Sequence, residues 1–113
     1  MSAPRLTRRL VLEAPETVAD GAGGFTQGWA VLGTLWAELR AGTGRGARLG
    51  GVVPVGRIPW RITVPMAPPG ALARPRPDQR LREGARVFRI LAVAEADTRG
   101  AYLTCYCVEE EPA

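Results

Sequence analysis

Histidine and lysine are both missing from the 113 residues, so all 15 basic side chains are arginine. The absence of histidine removes the usual general base near neutral pH and the commonest metal ligand. The absence of lysine excludes a phosphate loop of the G-x-x-x-x-G-K-[ST] type, and the glycines of "GTGRGARLGG" also miss the G-x-G-x-x-G spacing of a dinucleotide site. Cysteine is nearly absent. Cys105 and Cys107, in "TCYC", would lie on one side of a strand, an arrangement that suits neither a disulfide nor a C-x-x-C metal clip. They read as small buried hydrophobes in a reducing compartment. No apolar run approaches the ~20 residues of a membrane span, and the arginine-bearing N-terminus has no apolar core of a secretory signal. The expected setting is the cytoplasm, or a particle assembled there, with no membrane partner.

Acid is also unevenly missing. Between Glu38 and Asp78 there is no carboxylate, while Arg40, Arg45, Arg48, Arg57, Arg61, Arg74 and Arg76 all fall in that interval. The chain ends in the opposite sign, "VEEEPA", within a net charge of +4. A basic middle and an acidic tail suggest a polyanionic neighbour or head-to-tail contact between subunits. The remaining carboxylates are scattered at turns and strand ends, with no pairing that signals acid–base chemistry. The sequence therefore points away from an enzyme, and no cofactor or metal is expected.

What is present reads as β-structure in one domain, since this length leaves no room for a second core. "LTRRLVLEAP" alternates as a first strand ending at Pro15, with Leu6, Leu10 and Leu12 on one side. A turn-rich connection follows, in which Asp20-Gly21 and Gly23-Gly24 supply positive-φ positions. In "WAVLGTLWAELR", Trp29, Leu32, Trp36 and Leu39 fit a helical stripe, and Val31, Leu35, Ala37 and Leu39 fit one strand face equally well. Gly33, costly in a helix but natural at a bulge, favours a long bent strand over residues 26–40.

Residues 41–56 leave the sheet, and five of the first eleven are glycine. Such a segment is expected to be mobile, because ordering it costs ~1–2 kcal/mol per residue with few large side chains to offset the loss. "RIPWRITVPM" is the cleanest alternation, and Pro59 and Pro65 predict an edge strand or one paired on one side only. A proline-rich connector with a short strand near Gln79–Arg82 follows. "ARVFRILAVA" and "AYLTCYCVE" then form a hairpin through "EADTRG". The pattern is an all-β barrel or sandwich. Trp29, Trp36 and Trp60 fit core or subunit-interface anchors better than stacking platforms for single-stranded nucleic acid.

The ordered set "RLTRRLVLEAPE", a D-G-G-like turn, "GWAVLGTLWAELRAGTGR", "RITV" and "REGARVFRILAVAEADTRGAYLTCYCVEE" resembles the head–tail joining (head-completion, stopper) family of long-tailed phages and gene transfer agents. The resemblance covers about residues 5–110. It implies a small β-barrel of about five to six strands with a long loop between the second and third main strands. It implies a ring, usually dodecameric, between a portal–adaptor assembly on the head side and a tail-terminator or tail-tube protein on the tail side. The ring would close the exit of double-stranded DNA after packaging and receive the tail. Residues 41–57 correspond to the channel loop. Its implied gating residues are Arg40, Gly42, Gly44, Arg45, Gly46, Arg48 and Arg57, the arginines attracting phosphates without regard to base sequence. Gly46 and Ala47 stand where many members carry an acidic residue and then a helix-compatible run, which implies a more flexible gate. Two other roles fit the same residues: a free-standing OB- or SH3-like nucleic-acid-binding barrel using Trp29, Trp36 and Arg45, and a neighbouring tail-terminator or adaptor of the same machine.

Overall fold

The computed structural model describes residues 3–42 and 57–111. Six strands account for its regular structure: β1 (Arg8–Ala19), β2 (Phe25–Ala41), β3 (Pro59–Pro65), β4 (Arg80–Glu83), β5 (Arg86–Glu95) and β6 (Tyr102–Glu109). They form a closed barrel in the order β1-β2-β3-β6-β5-β4, antiparallel throughout. No helix occurs among the described residues. The stretch from Trp29 to Arg40 is extended, as its glycine and β-favouring residues predict.

Alternation builds the interior. Leu10 and Leu12 of β1, Ile62 and Val64 of β3, Leu81 of β4, Phe88 and Ile90 of β5, and Leu103, Cys105 and Cys107 of β6 are all at most 1% exposed. Both cysteines thus occupy one inward face. Burial pushes the Cys105 thiol up to about 12 and that of Cys107 well above its ordinary value, so neither is a reactive thiolate.

Three sequence expectations need correction. Pro15 does not end the first strand: β1 continues to Ala19 against β2, with Pro15 opposite Trp29. Only Val11–Glu13 of β1 pair with β4, so Pro15 lies where the second side of the strand has no ladder to interrupt. What reads as a turn-rich connection is mostly a two-stranded arm. Its turn is confined to residues 20–24, where Asp20 Oδ1 accepts from the Ala22 and Gly24 amides and Gly21 and Gly23 take positive φ.

The second correction concerns β2. Leu12 faces Gly33 but Glu13 faces Val31, so Leu32 is the extra residue of a bulge. A bulge reverses the parity of a strand. Val31 therefore sits 63% exposed while Ala37, an even number of residues away, is fully buried. Third, β3 is not an edge. Trp60–Thr63 pair with β2, and the whole strand from Pro59 to Pro65 pairs with β6. The two prolines are its first and last residues, beyond the β2 ladder, where a missing donor is harmless.

Candidate functional site

The channel loop was expected over residues 41–57, and its root is the part that can be described. β2 and β3 converge there through the pair Ala41–Trp60, and the Gly42 amide donates to the Pro59 carbonyl at 2.6 Å. A Cβ on Gly42 would meet that carbonyl oxygen at 3.1 Å, so the close approach itself calls for glycine. β2 therefore ends and β3 begins side by side at one point of the barrel. Of the expected gating residues, Arg40 and Arg57 stand beside this root, while Gly44, Arg45, Gly46 and Arg48 lie outside the described residues. Arg40 is exposed and its Nε lies 3.1 Å from Glu38. Arg57 is half-buried and, with Arg89, Asp78, Glu110 and Glu111, lines a shallow groove of about 420 Å³. The mixed charge of that groove suits ion pairing more than a dedicated anion site.

The same end of the barrel holds a feature the sequence did not reveal. Arg8, Glu83, Arg86 and Glu109 each continue the inward alternation of their strands by one step beyond the apolar core. At the mouth they meet as a chain of opposite charges. Arg8 Nε donates to Glu83 Oε2 at 2.7 Å. Arg86 forks onto Glu109 at 2.8 and 3.1 Å and lies 3.8 Å from Glu83. Beneath them Trp60 packs edge-on against Phe88, with centroids 5.9 Å apart at 82°, and the Arg86 guanidinium lies over both rings. Among the described residues the buried Trp60 Nε1–H has no partner of hydrogen-bond geometry, although Glu109 is near enough to feel it. Glu109 looks like part of an acidic tail in the sequence. Its place as the last residue of β6 is given by its pairing with Phe88 on β5.

These contacts predict an acid response. The hydrogen bonds from Arg8 and Arg86 hold the carboxyls of Glu83 and Glu109, respectively, below the ordinary carboxylate value. As pH falls, the unfolded chain takes up these protons first, so stability rises with pH across the window between the folded and unfolded values. The contribution is complete above the unfolded value of about 4.3 and is lost as pH drops through the lower folded values. Replacing both residues with Gln should flatten this limb in denaturant titrations between pH 3 and 7. An unchanged slope would show that these pairs do not couple folding to pH.

The three tryptophans separate into different settings. Trp60 packs against the core as described. Trp29 is half-buried under the Arg80 guanidinium, 4.1 Å from its ring centroid. Trp36 is 55% exposed on the outside of β2. Beside Trp29, Glu13 is only 5% exposed and accepts from Arg80 Nε at 2.7 Å and Arg82 Nε at 3.1 Å. This cluster spans the β1–β4 seam that closes the barrel.

The profile of phage head completion proteins matches residues 1–111. A chain in the virion of a native gene transfer agent particle is 54% identical, with 98% of this chain and 100% of that one covered, at a TM-score of 0.77. A protein of Shigella flexneri 2a, solved in solution, shares the fold at a TM-score of 0.70 and 21% identity, with both chains covered in full. The comparison with curated proteins finds no match. On the profile match and the 54% identity together, the chain belongs to the phage head completion proteins and is a structural component of a virion.

Proposed function

We propose that the protein forms a ring at the head–tail joint, closes the DNA exit once packaging is complete, and presents the surface on which the tail docks. The carrying observation is the hydrogen-bonded root at Gly42 and Pro59. It launches an acid-free segment bearing Arg45 and Arg48 from one end of a rigid barrel. In a ring, identical segments would converge on the axis, where their arginines meet the phosphates of double-stranded DNA in a sequence-independent way. Arg40 and Arg57 flank the root, and Gly42, Gly44 and Gly46 belong to the segment between them. The ring is expected to be dodecameric, with a portal or adaptor protein on one side and a tail-terminator or tail-tube protein on the other.

The test is particle assembly with Arg45→Ala/Arg48→Ala. The isolated variant should unfold within about 0.5 kcal/mol of wild type, as is usual for surface substitutions away from packed features. DNA retention by the particles should fall. Equal retention by variant and wild type would remove these two arginines from the gate. Tailed particles that keep their DNA without the protein would overturn the stopper role itself.

A further inference from the structure

β2 is long enough to carry opposite characters at its two ends. At the arm end, residues 10–37 hold Glu13, Glu16 and Asp20 and no basic side chain. Glu13 is taken up by Arg80 and Arg82, which leaves Glu16 and Asp20 exposed on the same face of the arm as Val18, 44% exposed, while Phe25, 71% exposed, pairs with Ala19 on the opposite face. Among the described residues the arm also has unpaired edges: β2 joins β3 only from Glu38 to Ala41, and β1 joins β4 only from Val11 to Glu13. Exposed edges with apolar side chains are association surfaces unless something covers them.

At the other end the outer face is basic around an aromatic. Trp36 faces outward opposite Arg9 on β1. Arg40 faces outward opposite Arg61 on β3, like charges across a ladder that Glu38, 3.1 Å from Arg40 Nε, offsets on the Arg40 side only. Arg9 and Arg61 are exposed, and neither is ion-paired among the described residues. Phe25 and Trp36 are eleven positions apart on one extended strand, about 35 Å. The acidic arm therefore cannot reach the basic face of its own barrel.

We propose that the arm of one copy docks on the Trp36 face of the next, with Val18 against Trp36 and Glu16 and Asp20 towards Arg9 and Arg61. Such a contact is heterologous, and repeated through a rotation it closes into a ring. The proposal deepens the ring reading above and rests on it. A second copy fits better than nucleic acid at this face: phosphates would satisfy the arginines but leave Val18 of the arm uncovered. It also assigns Trp36 the exposed aromatic role typical of an interface anchor.

The test is cross-linking in assembled particles that carry Thr26→Cys, opposite Val18, and Thr34→Cys, on the outward face of Trp36, together, using a short bis-maleimide, so that Val18 and Trp36 themselves are kept. Both sites are exposed, so folding should be spared. The two native thiols are buried and will not compete. The expected result is a ladder of covalent multimers with the double variant and none with either single variant. Dimers from a single variant would indicate a two-fold contact and overturn the proposal. Incorporation without any ladder would also overturn it while leaving the ring intact. Copy counting by quantitative mass spectrometry on wild-type particles tests the ring separately, since one or two copies per particle would sink that reading. Should the double variant fail to enter particles, Glu16→Arg decides: incorporation should fall by about tenfold, a difference of 1.4 kcal/mol, and normal incorporation overturns the docking. A monomer whose DNA affinity falls about tenfold with Trp36→Ala, again 1.4 kcal/mol, would assign this face to nucleic acid instead and overturn it.

Discussion

Phe88→Ala should lower the unfolding free energy of the isolated subunit by about 3–5 kcal/mol, the usual cost of removing a buried aromatic ring. Phe88 is fully buried. It lies just beneath the charged mouth of the barrel, paired with Leu81 on β4 and Glu109 on β6 and packed against Trp60 from β3. Truncation would remove transfer energy and open a cavity that neighbouring strands cannot fill, because their ladders fix the barrel wall. A domain of this size is expected to have about 5–15 kcal/mol in total. The variant should therefore be close to unfolding at physiological temperature. The lost ring also supports the Arg86 guanidinium, which lies 4.9 Å from its centroid. Urea melts followed by tryptophan fluorescence give the number. A loss below about 1 kcal/mol would mean that the core can close around the gap.

Glu13→Ala is expected to cost about 2–4 kcal/mol, and its mechanism differs. Breaking a buried ion pair from one side typically costs 3–5 kcal/mol because a charge is left without a partner. Here the carboxylate is the buried member at 6% side-chain exposure, whereas Arg80 and Arg82 are 19% and 36% exposed. The guanidiniums can turn partly towards water, which places the effect at or just below the lower end of that range. The damage is local to the β1–β4 seam, held by only three backbone register pairs. Glu13→Gln keeps the shape and one acceptor and should fall between wild type and Ala. A cycle with Arg80→Ala separates the pair from the packing of Arg80 on Trp29. Additive losses would show that Glu13 and Arg80 do not act together.

The charge chain at the barrel mouth and the Glu13 cluster share one design. In both, arginines take the place of apolar closure where strands reach solvent or where a short strand completes the cylinder. Arginine suits this because its planar fork bonds a carboxylate at two points while its face packs on tryptophan. This use of Arg8, Arg80, Arg82 and Arg86 also bears on partners. These guanidiniums face carboxylates inside the chain, so the count of 15 arginines overstates what a polyanion would meet. At the end of the barrel where Gly42 meets Pro59, Arg9 and Arg61 are exposed and in no ion pair among the described residues, which leaves them free to meet a neighbour.

Local pattern determined much by itself. The alternation of "RITV" fixed β3, the two inward cysteines followed from their spacing, and "EADTRG" marked the β5–β6 turn, where Gly100 takes positive φ. Gly33 marked the bulge in β2. The family itself was legible in the order of such segments. The tertiary structure alone decided the rest. Whether Pro15 stops a strand depends on which of its sides carries a neighbour. Which face Val31 takes depends on one extra residue in a ladder. Glu13 and Arg80 meet across 67 positions. Side-chain periodicity is a property of neighbouring residues, so it survives in sequence; closure of a barrel is set by pairings between distant strands, and those leave no trace until the chain has folded.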